Sequence, residues 1–216
     1  MSDWIITITE YIGTVAFAVS GAIISARYRL DLFGVTLVGC VTAVSGGMLR
    51  DVLSGSIPPA IFSKPVVLGV AAVVSIIVFI VFYANAKRFD SLERRIETVN
   101  VLFDAIGLAA FSVIGIEASF SRGFGENALF CVSMGVITGI GGGIVRDILV
   151  DKIPYVLKKH IYALASIAGS IVYYYMSVYS DKIAALLISM PMIIIIRLLA
   201  AKYHWKLPKI PYEDKE

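Results

Sequence analysis

Apolar residues arrive in seven long blocks, at about 5–25, 32–53, 65–85, 99–118, 128–149, 160–178 and 183–200, with short polar segments between them. Each block is close to the roughly 20 residues a helix needs to cross the hydrocarbon core of a bilayer. The pattern predicts an all-α integral membrane protein of seven transmembrane helices. It is expected to be a single membrane domain over 1–200, followed by a polar tail over 201–216. The first block follows Met1-Ser2-Asp3-Trp4, which lacks a basic region. That block is also too long for the apolar core of a signal peptide, so it is expected to be the first span.

Two stretches of the chain repeat. Glu10, Gly13, Ala16, Phe17, Val19 and Gly21 in the first span match Asp104, Gly107, Ala110, Phe111, Val113 and Gly115 in the fourth, each 94 residues later. Gly39, Thr42, Gly46, Gly47, Arg50, Asp51, Leu53, Ile57 and Pro58 match Gly135, Thr138, Gly142, Gly143, Arg146, Asp147, Leu149, Ile153 and Pro154 at a spacing of 96. A run this long points to duplication. The unit, about 5–86 and again about 98–178, holds three spans, an odd number. The second copy therefore enters the membrane from the opposite side, giving an inverted repeat of three plus three helices, an arrangement used by transporters. The seventh helix, about 183–200, is unpaired. Pro191 is expected to kink it, and Arg197 to snorkel toward the headgroups.

Composition agrees with this reading: 58% of residues are hydrophobic and 16% charged, against about a quarter charged in soluble domains. The placement of charge is more informative than the net +3. Counting loops alternately, one side collects Arg27, Arg29, Lys87, Arg88, Arg94, Arg95, Lys152, Lys158, Lys159, Lys202, Lys206, Lys209 and Lys215. The other has Lys64, Arg122 and Lys182. The positive-inside rule then predicts an outer N-terminus and a cytoplasmic C-terminus. The basic loop between the repeats reads as a topology determinant that could also meet anionic lipid headgroups. Tyr173-Tyr174-Tyr175 reads as an interfacial aromatic belt.

Several classes of chemistry are disfavoured. Cys40 and Cys131 fall mid-span without metal spacing, and read as small buried apolar side chains. His160 and His204 are too scattered for a metal or acid–base centre. The glycine clusters lack the preceding strand and the Lys-Ser/Thr pair of a phosphate loop. The intramembrane charges repeat symmetrically and supply no asymmetric catalytic set, so no enzyme, cofactor or nucleic-acid partner is expected.

The candidate functional residues are the paired motifs Ser45-Gly46-Gly47-Met48-Leu49-Arg50-Asp51 and Gly141-Gly142-Gly143-Ile144-Val145-Arg146-Asp147. Clustered glycines ease bending or unwinding of a helix, at about 1 kcal/mol each relative to alanine. Carbonyls freed in this way can line a cavity. The same glycines also form small-xxx-small stripes for close helix packing, and both uses stay open. Arginine inside a span is costly. Adjacent residues on a helix do not face one another, so Arg50 is expected to pair with Glu10 rather than Asp51. By symmetry Arg146 is expected to pair with Asp104.

Seven spans, a three-plus-three inverted repeat and paired Gly-Gly-x-x-Arg-Asp motifs in spans two and five resemble the prokaryotic branch of the TRIC (trimeric intracellular cation) channel family. The same bacterial family is also labelled as containing a glycine-transporter domain. The resemblance covers approximately residues 5–200. It implies a homotrimer with one pore per protomer, permeable to monovalent cations, chiefly potassium. It also implies that spans two and five are kinked at Gly46, Gly47, Gly141, Gly142 and Gly143. Arg50 and Arg146 would then stand where animal channels carry basic residues tied to gating and lipid binding. Ser45 departs from the triple glycine of the second motif. The alternative that the architecture admits is a secondary transporter of a small zwitterion such as glycine, held at half-helix N-termini.

Overall fold

The computed structural model describes residues 3–86, 93–158 and 161–205. The described residues form eight α-helices: α1 (Asp3–Arg27), α2 (Leu32–Leu53), α3 (Pro65–Ala84), α4 (Glu93–Ser121), α5 (Ala128–Leu149), the single-turn α6 (Tyr155–Lys158), α7 (Ile161–Tyr179) and α8 (Lys182–Lys202). All but α6 are long and apolar enough to cross a membrane, which makes seven spans. A 3-10 turn at Ala60–Ser63 leads into α3. Lys87, Arg88, Lys159, His160 and the tail from Lys206 onward lie outside the described residues. The fourth helix starts earlier than its apolar block. Arg94 and Arg95 belong to its first turns, and Glu93 pairs with Arg27 at 2.9 Å.

Duplication extends to the helix ends. Asp31 caps α2 by accepting from Gly34 N at 2.7 Å, and Asn127, 96 residues on, caps α5 by accepting from Phe130 N at 3.0 Å. Each side-chain oxygen satisfies one of the first N–H groups that have no partner inside the helix. At the far ends Ser56 N donates to Asp51 O and Lys152 N donates to Asp147 O, both at 2.8 Å. Both turns pass through a left-handed residue, Gly55 at φ +73° and Asp151 at φ +54°. Gly takes this conformation freely, and Asp more readily than most residues.

The core is formed by α1, α2, α4 and α5, with α3 packed on α1 and α2, and α7 on α4, α5 and α8. Equivalent residues meet their own counterparts at its centre. Phe17 and Phe111 stack with ring centroids 5.2 Å apart. Gly46 lies against the backbone of Thr138, and Gly142 against that of Thr42. Gly107 receives the Phe17 ring while Gly13 receives that of Phe111. These reciprocal contacts define a pseudo-two-fold axis between the repeats, as an inverted pair requires. α8 has no counterpart in the first repeat and packs on α4 and α7.

The glycine motifs are used for approach. Both α2 and α5 are helical without a break through them, so the unwound segment entertained from sequence is absent here. A Cβ at Gly46 or Gly142 would run into backbone of the opposite helix, whereas one at Gly47 would meet nothing nearer than Arg50 Nη2 at 3.7 Å. Pro191 lies inside a continuous α8.

Candidate functional site

Two clusters of charge lie within the helical body, one at each end of the α2–α5 crossing. They share one element. Near the C-terminus of α2, Arg50 Nε and Nη2 donate to Asp51 Oδ1 at 3.0 and 2.8 Å, and Asp51 Oδ2 accepts from Ala60 N at 2.9 Å. Near the C-terminus of α5, Arg146 Nε donates to Asp147 Oδ1 at 3.0 Å, and Asp147 Oδ2 accepts from Tyr155 N at 2.6 Å. The Arg-Asp motif thus ties the last helical turn to the backbone that follows the proline. The expectation that neighbours in sequence cannot pair is corrected here. Backbone directions do diverge between adjacent residues, but the arginine side chain is long enough to curl back to the short carboxylate beside it.

At the α5 end the cluster is buried. Arg146 Nη1 donates to Asp104 Oδ1 at 2.7 Å and to Ser20 Oγ at 2.6 Å. Ser20 in turn donates to Asn100 Oδ1 at 2.9 Å. Arg146 and Asp104 are both 3% exposed. The sequence expectation placed these two residues together, and they are in contact. Arg197 of α8 joins them, with Nη2 3.6 Å from Asp104 Oδ2. That is an ion pair but too long for a hydrogen bond. Its guanidinium lies over the rings of Tyr162 and Tyr155, 4.5 and 5.1 Å from their centroids. Two arginines and two aspartates make this cluster neutral.

Arg197 was expected to snorkel, and this is corrected: the residue is 2% exposed. An acceptor and two aromatic faces already wait inside the protein, so the guanidinium has no need of the headgroups. Tyr162 Oη and Arg197 Nε are buried and have no hydrogen-bond partner among the described residues.

At the α2 end the arrangement is open. Glu10 does not reach Arg50. It accepts from Lys64 Nζ at 2.6 and 2.8 Å. Arg50 is committed to Asp51, and Lys64 enters at the start of α3 beside the first turns of α1, where Glu10 is partly exposed. Asp51 Oδ1 also accepts from Arg122 Nη2 at 2.6 Å, and Arg122 Nη1 donates to Ser54 Oγ. Buried Glu117 accepts from Tyr173 Oη at 2.8 Å and from Lys182 Nζ at 3.2 Å. A cavity of about 460 Å³, lined by Glu10, Arg50, Lys64, Glu117, Arg122 and Lys182 among others, opens between them.

The aromatic belt is corrected as well. Tyr173 and Tyr174 are buried, the latter donating to Gly125 O at 2.8 Å, and only Tyr175 of the three is exposed. Lys64, Arg122, Glu117, Lys182 and Arg197 were missed as site residues. Glu117, an acid inside an apolar span, carried the signal that could have found its cluster.

Fold and charge sites together define a seven-span, inverted-repeat membrane protein with ionised groups inside both halves, the build of channels and secondary transporters. The family described as Glycine transporter matches the chain twice, over residues 7–83 and 101–177, once per repeat. Among curated relatives, the UPF0126 inner membrane protein YadS of Escherichia coli K12 is 38% identical over 209 residues, covering 95% of this chain and 96% of that protein. The UPF0126 membrane protein YvgT of Bacillus subtilis 168 is 34% identical over 198 residues, covering 91% and 92%.

Solved structures of the same shape include one from work on conductance through TRIC cation channels, 33% identical with a TM-score of 0.80, covering 97% of this chain and 98% of that one. A prokaryotic TRIC channel crystallised in 0.5 M KCl is 31% identical with a TM-score of 0.83, covering 95% and 100%. The orthologue of the TRIC trimeric intracellular cation channel from Rhodobacter sphaeroides is 25% identical with a TM-score of 0.81, covering 93% and 99%. The chain belongs to the prokaryotic TRIC family, the bacterial family that also carries the Glycine transporter description. It is a multi-pass bacterial membrane protein.

Proposed function

We propose that this protein is a monovalent-cation channel, chiefly for potassium, that works as a homotrimer with one pore in each protomer. Supporting this reading above all is its similarity, over nearly its full length, to solved TRIC cation channels, one of them described as trimeric. The duplicated charge sites fit it. Each half carries an arginine held by a carboxylate at one end of the α2–α5 crossing, and ionised groups at that depth mark ion pathways.

In this reading the crossing of Gly46, Gly142, Phe17 and Phe111 is the constriction between two mouths. Separation of α2 from α5 there opens the path, and Arg50, Asp51, Arg146 and Asp147 anchor the helix ends that move. The thirteen basic residues of one loop set support a cytoplasmic Arg146 end and an outer Arg122 end.

The test is planar-bilayer recording of the purified protein under a potassium chloride gradient. Unitary currents reversing near the potassium potential are expected. Saturable uptake of glycine without unitary currents would overturn the channel reading.

A further inference from the structure

The α2-end cavity carries more positive than negative charge. Its cations are Arg50, Lys64, Arg122 and Lys182, and the carboxylates that meet them are Glu10, Asp51 and Glu117. Lys64 and Glu10 pair with each other, as do Lys182 and Glu117. That leaves two guanidiniums to share Asp51.

They also share one oxygen of it. Asp51 Oδ2 is taken by Ala60 N, so Arg50 Nε, Arg50 Nη2 and Arg122 Nη2 all converge on Oδ1. Three donors saturate that atom. Arg50 Nη1 and Arg122 Nε make no hydrogen bond among the described residues, and both side chains line the cavity. Two guanidiniums on one carboxylate oxygen repel each other, and their spare N–H groups lack an acceptor. At the other end Arg197 Nε is likewise without a partner among the described residues, but there two arginines meet two aspartates and the charge balances.

We infer that the cavity between Arg50 and Arg122 is a binding site for a compact inorganic monoanion, chloride being the everyday instance. The anion accepts the spare guanidinium N–H groups and brings the lining to neutrality. A fork of N–H donors on two arginines suits such a guest, and charge-assisted hydrogen bonds are the strong kind. Resting on the channel reading, the site has a consequence for transport. An empty mouth with surplus positive charge repels an entering cation, and a seated anion removes that repulsion. Anion occupancy then raises cation flux without the anion itself passing through.

The experiment is thermal unfolding of purified protein in potassium chloride, potassium bromide and potassium gluconate at equal ionic strength. A ligand that binds only the folded state raises the midpoint by mass action, by roughly 3 °C for a chain of this size at ten times its dissociation constant. Chloride and bromide are expected to give a saturating rise over gluconate. Arg122→Gln is expected to abolish it. Arg122→Lys, which keeps the charge and loses the fork, is expected to weaken the apparent affinity several-fold. Arg95→Gln, on an exposed position far from the cavity, should leave the rise intact.

Equal midpoints in the three salts for the unaltered protein overturn the site. So does a rise that survives in Arg122→Gln, or one produced by phosphatidylglycerol and not by chloride. If Arg122→Gln fails to fold, Arg122→Lys and the anomalous signal of bromide between the two guanidiniums decide the question. Because binding is read without current, a chloride-dependent rise in a protein that conducts nothing would sink the channel reading and spare the site. Currents without the rise would do the reverse.

Discussion

Asp104 on α4 accepts a hydrogen bond from Arg146 on α5 at 2.7 Å, and both side chains are almost wholly withdrawn from the surface. Their counterparts in the other repeat, Glu10 and Arg50, make no such bond, since Glu10 is held by Lys64. One duplicated element has therefore become a sealed, neutral network in one half and an open, cation-rich vestibule in the other. The difference lies in what surrounds the motif: α8 brings Arg197 to the first, and the α4–α5 turn brings Arg122 to the second.

Asp104→Asn is expected to leave Arg146 and Arg197 with Asp147 as their only carboxylate. Breaking a buried pair by removing one partner costs about 3–5 kcal/mol, so thermal unfolding in detergent should show a large loss. Cation flux should fall roughly tenfold if 1.4 kcal/mol of the unbalanced charge reaches the permeation path. Asp104→Asn with Arg146→Gln should recover part of both losses. Additive losses in the double variant would mean the contact carries no coupling.

Gly142→Ala and Gly47→Ala are expected to behave differently despite belonging to equivalent motifs. A methyl at 142 is driven into the Thr42 backbone and the Phe17 ring, while one at 47 has room. Overpacking of this kind costs about 1–3 kcal/mol. Calorimetric midpoints should drop for Gly142→Ala and stay near the parent for Gly47→Ala. Equal drops would assign both glycines to helix flexibility instead of contact.

Arg197→Lys keeps a cation near Asp104 but gives up the planar stacking on Tyr155 and Tyr162. A desolvated cation–π contact is worth about 2 kcal/mol, so this variant should unfold earlier than the parent. Arg197→Leu should unfold earlier still, because Asp104 then depends on Arg146 alone. Parent-like stability in both variants would return Arg197 to the headgroup region.

A cysteine-free protein carrying Arg94→Cys should resist an impermeant thiol reagent added outside intact cells, and one carrying Glu126→Cys should react. Labelling in the opposite sense would invert the proposed orientation and exchange the two mouths.

Seven spans and their inverted duplication were legible because both rest on local patterns: block lengths of apolar residues, and identities recurring at 94 and 96 residues. Equivalent residues of the two repeats even meet one another, since Phe17 touches Phe111 and Gly46 approaches the helix that carries Gly142. The charge partners were legible only in part. Asp104 and Arg146 could be matched by depth, because each sits on a core helix whose register the repeat defines. Lys64 and Arg122 stand between helices and Lys182 opens α8, places from which a long side chain can reach several elements and no periodicity says which. Arg197 was misread for a different reason. Position along a helix tells how deep a side chain lies, whereas the direction it faces is set by packing that no single helix contains.

Phe17 and Phe111 sit on the pseudo-two-fold axis, so each ring is its own repeat's contribution to one shared joint. A contact on such an axis belongs equally to both repeats. A single substitution at position 17 therefore touches the packing of both repeats, while one at Arg122 or Arg197 touches the charge cluster at one end. Two halves that have grown different in their charges still share one joint of matched rings, 5.2 Å apart.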